Sequence, residues 1–311
     1  MGGTGDQGPV PGSGATPGPG EGPPGAGTGA DAAASSGPRS DFRLTDRAPE
    51  QYERYGAPIM APFVAALLDT VPLPPGTALL DLACGTGFVA RNAAARLAGT
   101  GSRVVGVDPV PGMLLVAAER AVADGIVVEW QEAAAGDLPY ANATFDAVVC
   151  QQGVQFFPDR AAGVAEAVRV TRPGGRVALT AWLPSGRSPF FAATRQAIAE
   201  YSTGTELTGW YDTAFGCGAD ELSGLLTAAG LTDVAVREVV AEVALPALSD
   251  FVPGFLSATP WGSAFLATDP DKVRPGIARV RALLAPWTTG DGSAQVEFVS
   301  HLVTGVRPET G

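Results

Sequence analysis

The sequence predicts an α/β protein in which helices flank a mainly parallel β-sheet. Short apolar runs alternate with helical patterns through the middle of the chain, and this alternation is typical of parallel β-α-β units. The predicted strands cover residues 78–82, 103–107, 126–130, 145–150 and 176–182. The predicted helices between them cover residues 87–98, 111–123 and 159–171. Turns rich in glycine or acid follow several of these strands, which places candidate binding residues at one edge of the sheet.

Further elements are predicted on both sides of this alternating region. Apolar residues recur at helical spacing from Gln51 to Val71, and the proline-rich segment 72–76 ends that helix. Another helix is predicted over 219–229, because acids stand in its first turn and a glycine at its end. The last strands are predicted over 232–244 and 294–306.

Composition divides the chain into a tail and a folded domain. Residues 1–40 are rich in glycine and proline, and such a segment buries too little apolar surface to offset the entropy of ordering. We therefore expect a disordered tail over 1–40 and a single domain over 41–311, with its core at about 50–183. The aromatic-rich segment 183–218 and the segment 247–287 are expected to form a helical lid, with a plain surface elaboration as the alternative.

Charge and composition exclude several classes of partner. The 311 residues include 20 basic and 32 acidic side chains, and the net charge of −12 opposes binding to a phosphate backbone. No apolar run reaches the ~18 residues of a membrane span, and no signal peptide opens the sequence. Cys84, Cys150 and Cys217 are too far apart for a metal motif. We expect a cytoplasmic protein that binds no nucleic acid, membrane or metal.

A glycine-rich turn stands out in the segment LLDLACGTGFVARN, residues 79–92. A P-loop would require a lysine directly after its second glycine, and no lysine lies nearby. Gly85, Gly87 and Ala90 do satisfy the dinucleotide pattern G-x-G-x-x-G/A, which keeps an NAD-dependent oxidoreductase open as an alternative. This pattern alone is weak, because a purely structural turn can also produce it.

Three acids near the turn favour a different ligand. Asp81 lies within the strand before the turn, where its carboxylate would suit a positively charged ligand rather than a pyrophosphate. Asp108 ends the run RVVGVD, and its carboxylate can accept hydrogen bonds from both hydroxyls of a ribose. Asp137 can accept from an adenine amino group while Leu138 covers the ring. These positions indicate an adenosyl cofactor.

Four motifs in order carry a family resemblance. They read LDLACGTGFVA, VVGVDPVPGML, AGDLPYANATFDAVVCQQGVQFF and RVTRPGGRVAL. The chain resembles the class I S-adenosylmethionine-dependent methyltransferases, and it looks closest to the branch of the ubiquinone and menaquinone biosynthesis methyltransferases. The resemblance covers about residues 50–183. It implies a Rossmann-like sheet of seven strands, all parallel except one, here 294–306, and S-adenosylmethionine as the cofactor.

The resemblance also implies roles for individual residues. Gly85, Thr86 and Gly87 would pass close to the methionine part of the cofactor, Asp81 would hold its ammonium and Asp108 its ribose. The full set of implied cofactor-binding residues is Asp81, Ala83, Gly85, Thr86, Gly87, Asp108, Pro109, Met113, Asp137, Leu138, Gln151 and Gln152.

Substrate contacts are expected beyond the carboxyl ends of the strands and in the lid. The candidates are Tyr52, Tyr55, Gln155, Phe156, Trp182, Trp210 and Tyr211, and core packing is the alternative for each aromatic residue. Gln155 and Phe156 stand where many relatives have a pair of histidines. Because glutamine cannot take a proton, no general base is assigned, and Gln155 and Tyr55 are the only catalytic candidates. His301, the only histidine, is expected to be structural.

These observations predict an S-adenosylmethionine-dependent methyltransferase (EC 2.1.1 class) that acts by proximity-driven, in-line methyl transfer. The acceptor is expected to be a small, largely apolar metabolite of polyketide, quinone or terpenoid type, in bacterial secondary metabolism, and the enzyme a monomer or homodimer. One alternative is a cofactor-binding protein of the same fold without methyl transfer, either a cyclase or a partner subunit. The NAD-dependent alternative lacks the Tyr-x-x-x-Lys pattern.

Overall fold

The computed structural model describes Gly2 and residues 48–202 and 206–309. The strands in this part of the chain are β1 (Ala78–Leu82), β2 (Arg103–Asp108), β3 (Glu129–Glu132), β4 (Phe145–Gln151), β5 (Thr171–Trp182), β6 (Thr232–Leu245) and β7 (Ala294–Val306). They form one seven-stranded sheet in the order β3-β2-β1-β4-β5-β7-β6. The predicted tail, residues 1–40, lies outside the described residues apart from Gly2.

Strand directions confirm the predicted sheet. β1 to β5 pair in parallel, whereas β7 is antiparallel to both β5 and β6. The reversed strand is therefore 294–306, as expected. Because β1, β2 and β4 run in the same direction, their carboxyl ends at Leu82, Asp108 and Gln151 lie along one edge of the sheet.

Helices cover both faces of the sheet. They are α1 (Ala48–Gln51), α2 (Ala57–Leu68), α3 (Phe88–Arg96), α4 (Pro111–Ala123), α5 (Arg160–Val170), α6 (Pro189–Tyr201), α7 (Glu206–Phe215), α8 (Ala219–Ala228), α9 (Leu248–Ser257), α10 (Pro260–Leu266) and α11 (Pro270–Leu283). Apolar side chains of α2 and α3 pack on one face of β1 and β4, and those of α5 and α8 pack on the other face of the sheet. Among the described residues, no helix has the length and apolar character that crossing a membrane requires.

The predicted helix over 51–71 is wrong as one continuous α-helix. Residues Tyr52–Gly56 form a π-helical segment between α1 and α2. A Cβ on Gly56 would lie 3.0 Å from Cδ2 of Tyr52, so the absence of a side chain at Gly56 lets the tyrosine ring pack against the backbone. The apolar spacing could not reveal this wider turn, because the residues that direct it contact distant parts of the chain.

The predicted third strand over 126–130 is also wrong at its start, because β3 begins at Glu129. Gly125, with φ of +67°, follows α4, and the N–H of Ile126 donates to the carbonyl of Ala121 at 2.8 Å. Ile126 thus closes the end of α4. Val127 is 88% exposed, so these apolar residues do not form a buried strand.

The segments 183–218 and 247–287 are largely helical in their described residues, as expected. The first contains α6 and α7, and the second contains α9, α10 and α11. These helices pack on one another and on the ends of β6 and β7. Their aromatic residues join a buried aromatic cluster that comprises Phe63, Trp182, Phe190, Phe191, Phe251, Phe255 and Phe298. Lid motion remains a prediction.

Candidate cofactor and substrate site

The turn between β1 and α3 contains several residues with positive φ and is hydrogen-bonded to the end of β2. Ala83, Gly85 and Gly87 all adopt left-handed conformations, with φ of +55°, +54° and +77°. The N–H of Cys84 donates to the carbonyl of Val107 at 2.9 Å, which fixes the turn against β2. A Cβ on Gly85 would meet only the ring of Tyr52, so one side of this turn is open to a ligand.

Asp81 lies beneath this turn and is 1% exposed. Its Oδ2 accepts from the N–H of Ala90, in the first turn of α3, at 2.9 Å. Its Oδ1 is buried and has no hydrogen-bond partner among the described residues. Burial raises the pKa of this carboxyl to about 8, although the Ala90 N–H opposes the shift. A buried oxygen without a hydrogen-bond donor is suited to accept a hydrogen bond from a cationic ligand.

Asp108 ends β2 and holds the turn from the other side. Its Oδ2 accepts from the N–H of Gly85 and its Oδ1 from the N–H of Val110, both at 2.9 Å. Burial raises its pKa to about 6, against the effect of these two bonds. Pro109 follows as an exposed residue, and Met113 is buried in the first turn of α4. Each carboxylate oxygen retains capacity for a further donor such as a ribose hydroxyl.

Tyr52, a predicted substrate contact, lies over the glycine-rich turn. Its Cε1 would be 3.9 Å from a Cβ on Gly85. Burial and the charges of Asp108, Glu53 and Asp81 raise the pKa of its phenol. The ring is therefore beside the same acids that the sequence assigns to the cofactor.

Glu53 ties the π-helical segment to the turn. Its Oε2 accepts from the hydroxyl of Thr86 at 2.6 Å, and its Oε1 accepts from Nη2 of Arg91 at 2.5 Å. The side chains of Glu53 and Arg91 are only 11% and 9% exposed, so this ion pair is weakly screened by solvent. Arg91 also contacts Asp124 through Nη1 at 3.0 Å. Thr86, predicted from the turn motif, is thus fixed by a residue from outside it.

Trp130 of β3 fills the space left by two glycines. A Cβ on Gly87 would lie 2.3 Å from Cη2 of Trp130, and a Cβ on Gly106 would lie 2.4 Å from its Cζ3. Trp130 is the register partner of Gly106 across β2 and β3. Glycine inside a strand often marks such a close approach. Gly87 is therefore needed for packing of this ring as well as for its left-handed backbone.

Alanine at Gly87 and at Gly106 should separate two requirements, namely space for the Trp130 ring and a left-handed backbone. Gly106→Ala introduces a clash with Trp130 and a tight contact with Sγ of Cys84 at 3.0 Å, whereas Gly87→Ala clashes with the same ring and also places a side chain in a left-handed conformation. We expect a loss in free energy of unfolding of about 1–3 kcal/mol for Gly106→Ala, and about 1–2 kcal/mol more for Gly87→Ala. Urea unfolding measures both. Adding Trp130→Leu should recover most of the Gly106→Ala loss, and failure to recover it would show that the ring is not the cause.

The turn after β3 carries the predicted adenine contacts. Leu138 is 4% exposed, its N–H donates to Oε2 of Glu166 at 2.9 Å, and its carbonyl accepts from Nη2 of Arg169 at 3.0 Å. Asp137, in contrast, is exposed. Two residues of α5 therefore hold Leu138 in place, next to the exposed Asp137.

The residues after β4 bring together predicted cofactor and substrate contacts. Gln151 donates from Nε2 to the carbonyl of Met60 at 3.1 Å, which joins the end of β4 to α2. Gln152 is buried in a left-handed conformation, with φ of +54°. Gln155 is 1% exposed and donates from Nε2 to Oε1 of Gln152 at 3.3 Å. A non-glycine residue with positive φ is strained, and such strain is concentrated at functional sites.

The predicted substrate aromatics are mostly packed in this conformation. Tyr55 is 7% exposed, and its hydroxyl donates to the carboxylate of Asp250 at 3.2 Å. Tyr211 is 1% exposed and donates to the hydroxyl of Thr194 at 2.7 Å. Trp182 packs within the aromatic cluster at 5% exposure. Phe156 and Trp210 are partly buried and pack against the neighbouring helical core.

His301 lies in the middle of β7, away from the glycine-rich turn in sequence and opposite Ala181 and Glu238 in register. It is 8% exposed, and burial lowers the pKa of its imidazole although the charge of Glu238 opposes this shift. Among the described residues, no three histidine, cysteine or acidic side chains come together as a metal site would require.

Several site residues were missed by the sequence analysis. Glu53 and Arg91 form the buried pair, Trp130 packs on the two glycines, and Ser300 of β7 bonds to Gln152. Only Trp130 left a signal, namely Gly106 within the strand RVVGVD. The others depend on contacts between residues far apart in the chain, which no local pattern records.

Comparison with known families agrees with this geometry. Residues 80–179 match the family model Methyltransf_11, described as a methyltransferase domain. The match includes both Asp81 and Asp108 and extends from β1 into β5. Residues 80–179 are therefore similar to a methyltransferase domain, and the sheet has the Rossmann-like fold found in methyltransferases.

Individual relatives share parts of the chain. An uncharacterized protein of Mycobacterium tuberculosis is 36% identical over 183 residues, which are 57% of this chain and 64% of that protein. The chain thus spans less than two thirds of this relative's length. Demethylmenaquinone methyltransferase of Deinococcus radiodurans is 39% identical over 117 residues, or 38% of this chain and 48% of that enzyme.

A solved structure shares the fold. It is phosphoethanolamine N-methyltransferase 2 of Haemonchus contortus in complex with S-adenosyl-L-methionine, with a TM-score of 0.55 and 20% identity. The similarity covers 87% of this chain and 59% of that enzyme.

Proposed function

We propose that this chain binds S-adenosylmethionine and transfers its methyl group to a small, largely apolar metabolite. The observation that carries the proposal is the buried, unpartnered Oδ1 of Asp81 beneath an open glycine-rich turn, within a segment similar to a methyltransferase domain. An ammonium group is the kind of donor that would satisfy this oxygen. A pyrophosphate beside it would be repelled, which argues against a dinucleotide.

The residues present fit this cofactor. Asp81 would hold its ammonium, the backbone of Gly85 to Gly87 would pass beside its methionine part, and Asp108 would accept from its ribose hydroxyls. Leu138 and Asp137 would contact the adenine. When bound, S-adenosylmethionine supplies an electrophilic methyl group on a positively charged sulfur.

The protein's own part in the reaction would be to position the acceptor and exclude water. Proximity and orientation can contribute about 7–11 kcal/mol to such a displacement. Gln155 and Tyr55 remain the candidates for a catalytic role, but neither is expected to act as a general base. The glutamine side chain has no basic atom. Burial raises the pKa of the Tyr55 phenol, so the phenol stays protonated. We therefore propose transfer driven by positioning rather than by strong proton abstraction.

The acceptor class follows from the apolar side chains beyond the sheet edge. The helices over 183–218 and 247–287 are rich in phenylalanine and tryptophan, and a ring-containing quinone, polyketide or terpenoid would suit such surroundings. Similarity to a demethylmenaquinone methyltransferase supports the quinone type and the ubiquinone and menaquinone branch. A role in cytoplasmic bacterial secondary metabolism is part of this proposal.

A second candidate is a protein that binds the cofactor without transferring its methyl group, such as a cyclase or a partner subunit. Gln155 and Phe156, in place of the histidine pair of many relatives, favour it, because neither can serve as a base.

Calorimetric titration with S-adenosylhomocysteine, with NADH as the comparison, tests the cofactor. We expect micromolar binding of S-adenosylhomocysteine and none of NADH, whereas the reverse would overturn the proposal. Incubation with radiolabelled S-adenosylmethionine and a panel of hydroxylated quinones and polyketides then tests transfer. Binding without transfer of label to any acceptor would favour the second candidate.

A further inference from the structure

Three buried polar side chains connect β7 to the residues after β4. Gln155 donates from Nε2 to Oε1 of Gln152 at 3.3 Å, and Gln152 donates from Nε2 to Oγ of Ser300 at 2.8 Å. Ser300 in turn donates to a backbone carbonyl, that of Ala181 or of His301, each at 3.0 Å. The three side chains belong to residues that are at most 6% exposed. We refer to Ser300, Gln152 and Gln155 as the polar chain.

The backbone carbonyl sets the direction of every bond in the polar chain. A carbonyl can only accept, so the hydroxyl proton of Ser300 is committed to it and Oγ is left to accept. Gln152 must then present its NH₂ group to Ser300 and its oxygen to Gln155. Gln155 must present its own NH₂ group to Gln152. The orientation of both amides is therefore fixed by a residue on a different strand.

This direction leaves the Oε1 atom of Gln155 at the free end of the polar chain. That oxygen is buried and has no hydrogen-bond partner among the described residues. An unsatisfied buried acceptor is costly, and rotating the amide cannot relieve it without breaking the bond to Gln152. The backbone of Gln155 is also held, because its carbonyl accepts from Nη2 of Arg160 at 3.2 Å. Gln152 is likewise held by its N–H bond to the carbonyl of Thr180 at 3.0 Å.

We propose that the Oε1 atom of Gln155 accepts a hydrogen bond from a hydroxyl or N–H group of the methyl acceptor, with Ser300 and Gln152 as positioning residues. The inference rests on the proposed methyl transfer, because it places the acceptor beside the cofactor edge of β4. It narrows the substrate class to apolar rings that carry a hydrogen-bond donor.

Because the orientation of the Gln155 amide is fixed, the site should discriminate between ligands that carry a hydrogen-bond donor and ligands that do not. A ligand with a donor satisfies the buried oxygen, whereas a ligand of the same shape without a donor leaves it unsatisfied. Glutamine would orient the donor without removing its proton, so the role is one of recognition. If Ser300 did not set the direction, the amide of Gln155 could turn and present a donor to an ether or ketone instead.

A matched pair of ligands tests the proposal on the full-length chain. 2-Naphthol and 2-fluoronaphthalene differ at one substituent of similar size, and only the first is a donor. Affinity for each is measured by calorimetry with and without S-adenosylhomocysteine. In the wild-type protein we expect 2-naphthol to bind about tenfold more tightly. In Gln155→Met this ratio should fall to about one.

Ser300 variants separate positioning from general stability. Ser300→Ala should lower the ratio to less than about threefold, and Ser300→Thr, which keeps the hydroxyl, should restore it. Thr171→Val is the matched control, because it removes another buried hydroxyl, at the opposite end of β5. That control should leave the ratio unchanged. Thermal unfolding confirms that each variant is folded.

These experiments test donor recognition by Gln155 separately from the binding of the cofactor. Equal ratios in wild type, Gln155→Met and Ser300→Ala would overturn it, and so would a wild-type protein that binds neither ligand. Failure to bind S-adenosylhomocysteine, with the ratio still dependent on Gln155, would instead overturn the proposed methyl transfer and leave the donor-recognising site in place.

Discussion

Replacing Asp108 by alanine is expected to weaken the binding of S-adenosylhomocysteine by roughly a hundredfold or more. Its carboxylate is proposed to accept from two ribose hydroxyls, and hydrogen bonds to charged groups contribute about 1.5–3 kcal/mol each. The same carboxylate also holds the N–H groups of Gly85 and Val110 at 2.9 Å. The substitution therefore removes the ligand contact and loosens the turn beside it. Calorimetric titration measures the effect.

Asp146→Ala provides the matched control for Asp108→Ala. Asp146 also accepts from a backbone N–H, that of Ala78 at 2.7 Å, and it lies near the opposite edge of the sheet because it is the second residue of β4. We expect Asp146→Ala to lower stability without changing affinity for S-adenosylhomocysteine. A folded Asp108→Ala variant with wild-type affinity would contradict the ribose assignment.

The edge of the sheet that carries the site could be predicted because its determinants are local. β1, β2 and β4 are short apolar runs, and β2 ends in Asp108, three residues before the proline that starts α4. Parallel pairing then brings these ends to one edge whatever the details of packing. The reversed strand 294–306 is different, because its direction came from the family resemblance and not from its own residues.

What could not be predicted depends on contacts across the chain or on where a helix ends. The apolar spacing around Tyr52 fits an α-helix, yet Glu53 reaches Thr86 and Arg91 and the segment adopts a wider turn. Ile126 and Val127 have strand-forming side chains, but the first closes α4 and the second is exposed. In the first case contacts across the chain override the local preference of the residues, whereas in the second the end of α4 includes Ile126 and leaves Val127 exposed.

The aromatic residues of segment 183–218 illustrate a further limit of local patterns. The sequence predicts a helical lid here, but phenylalanine and tryptophan are common in lids and cores alike, so their abundance did not reveal which rings pack together. In the fold they form edge-to-face pairs, such as Phe190 with Phe255 at 4.9 Å between ring centroids. Such pairs contribute about 0.5–1.5 kcal/mol beyond their buried area, and they stabilise helices whose own propensity is modest.

Binding of S-adenosylhomocysteine is expected to strengthen as pH rises from about 6 to 8, by on the order of tenfold or more. The cause is Asp81, whose pKa is raised to about 8 by burial, so that its carboxyl is mostly protonated at pH 6. An ammonium ligand favours the ionised carboxylate, so binding must release a proton. Calorimetry in two buffers of different ionisation enthalpy should detect this release at pH 7.

Asp81→Asn should remove most of the pH dependence above pH 7 and most of the proton release, because the amide does not ionise, and it should bind more weakly at pH 8. In the wild-type protein without ligand, the free energy of unfolding should fall as pH rises, in contrast to the affinity for S-adenosylhomocysteine. The folded state keeps a proton that the unfolded state loses above its ordinary pKa of 3.8, so the free energy of unfolding should fall as pH rises from about 4 towards 8. In Asp81→Asn this contribution should be absent. If affinity in the wild-type protein were independent of pH while Asp81→Asn bound equally well, Asp81 would not be the group that holds the ammonium, and its buried oxygen would need another partner.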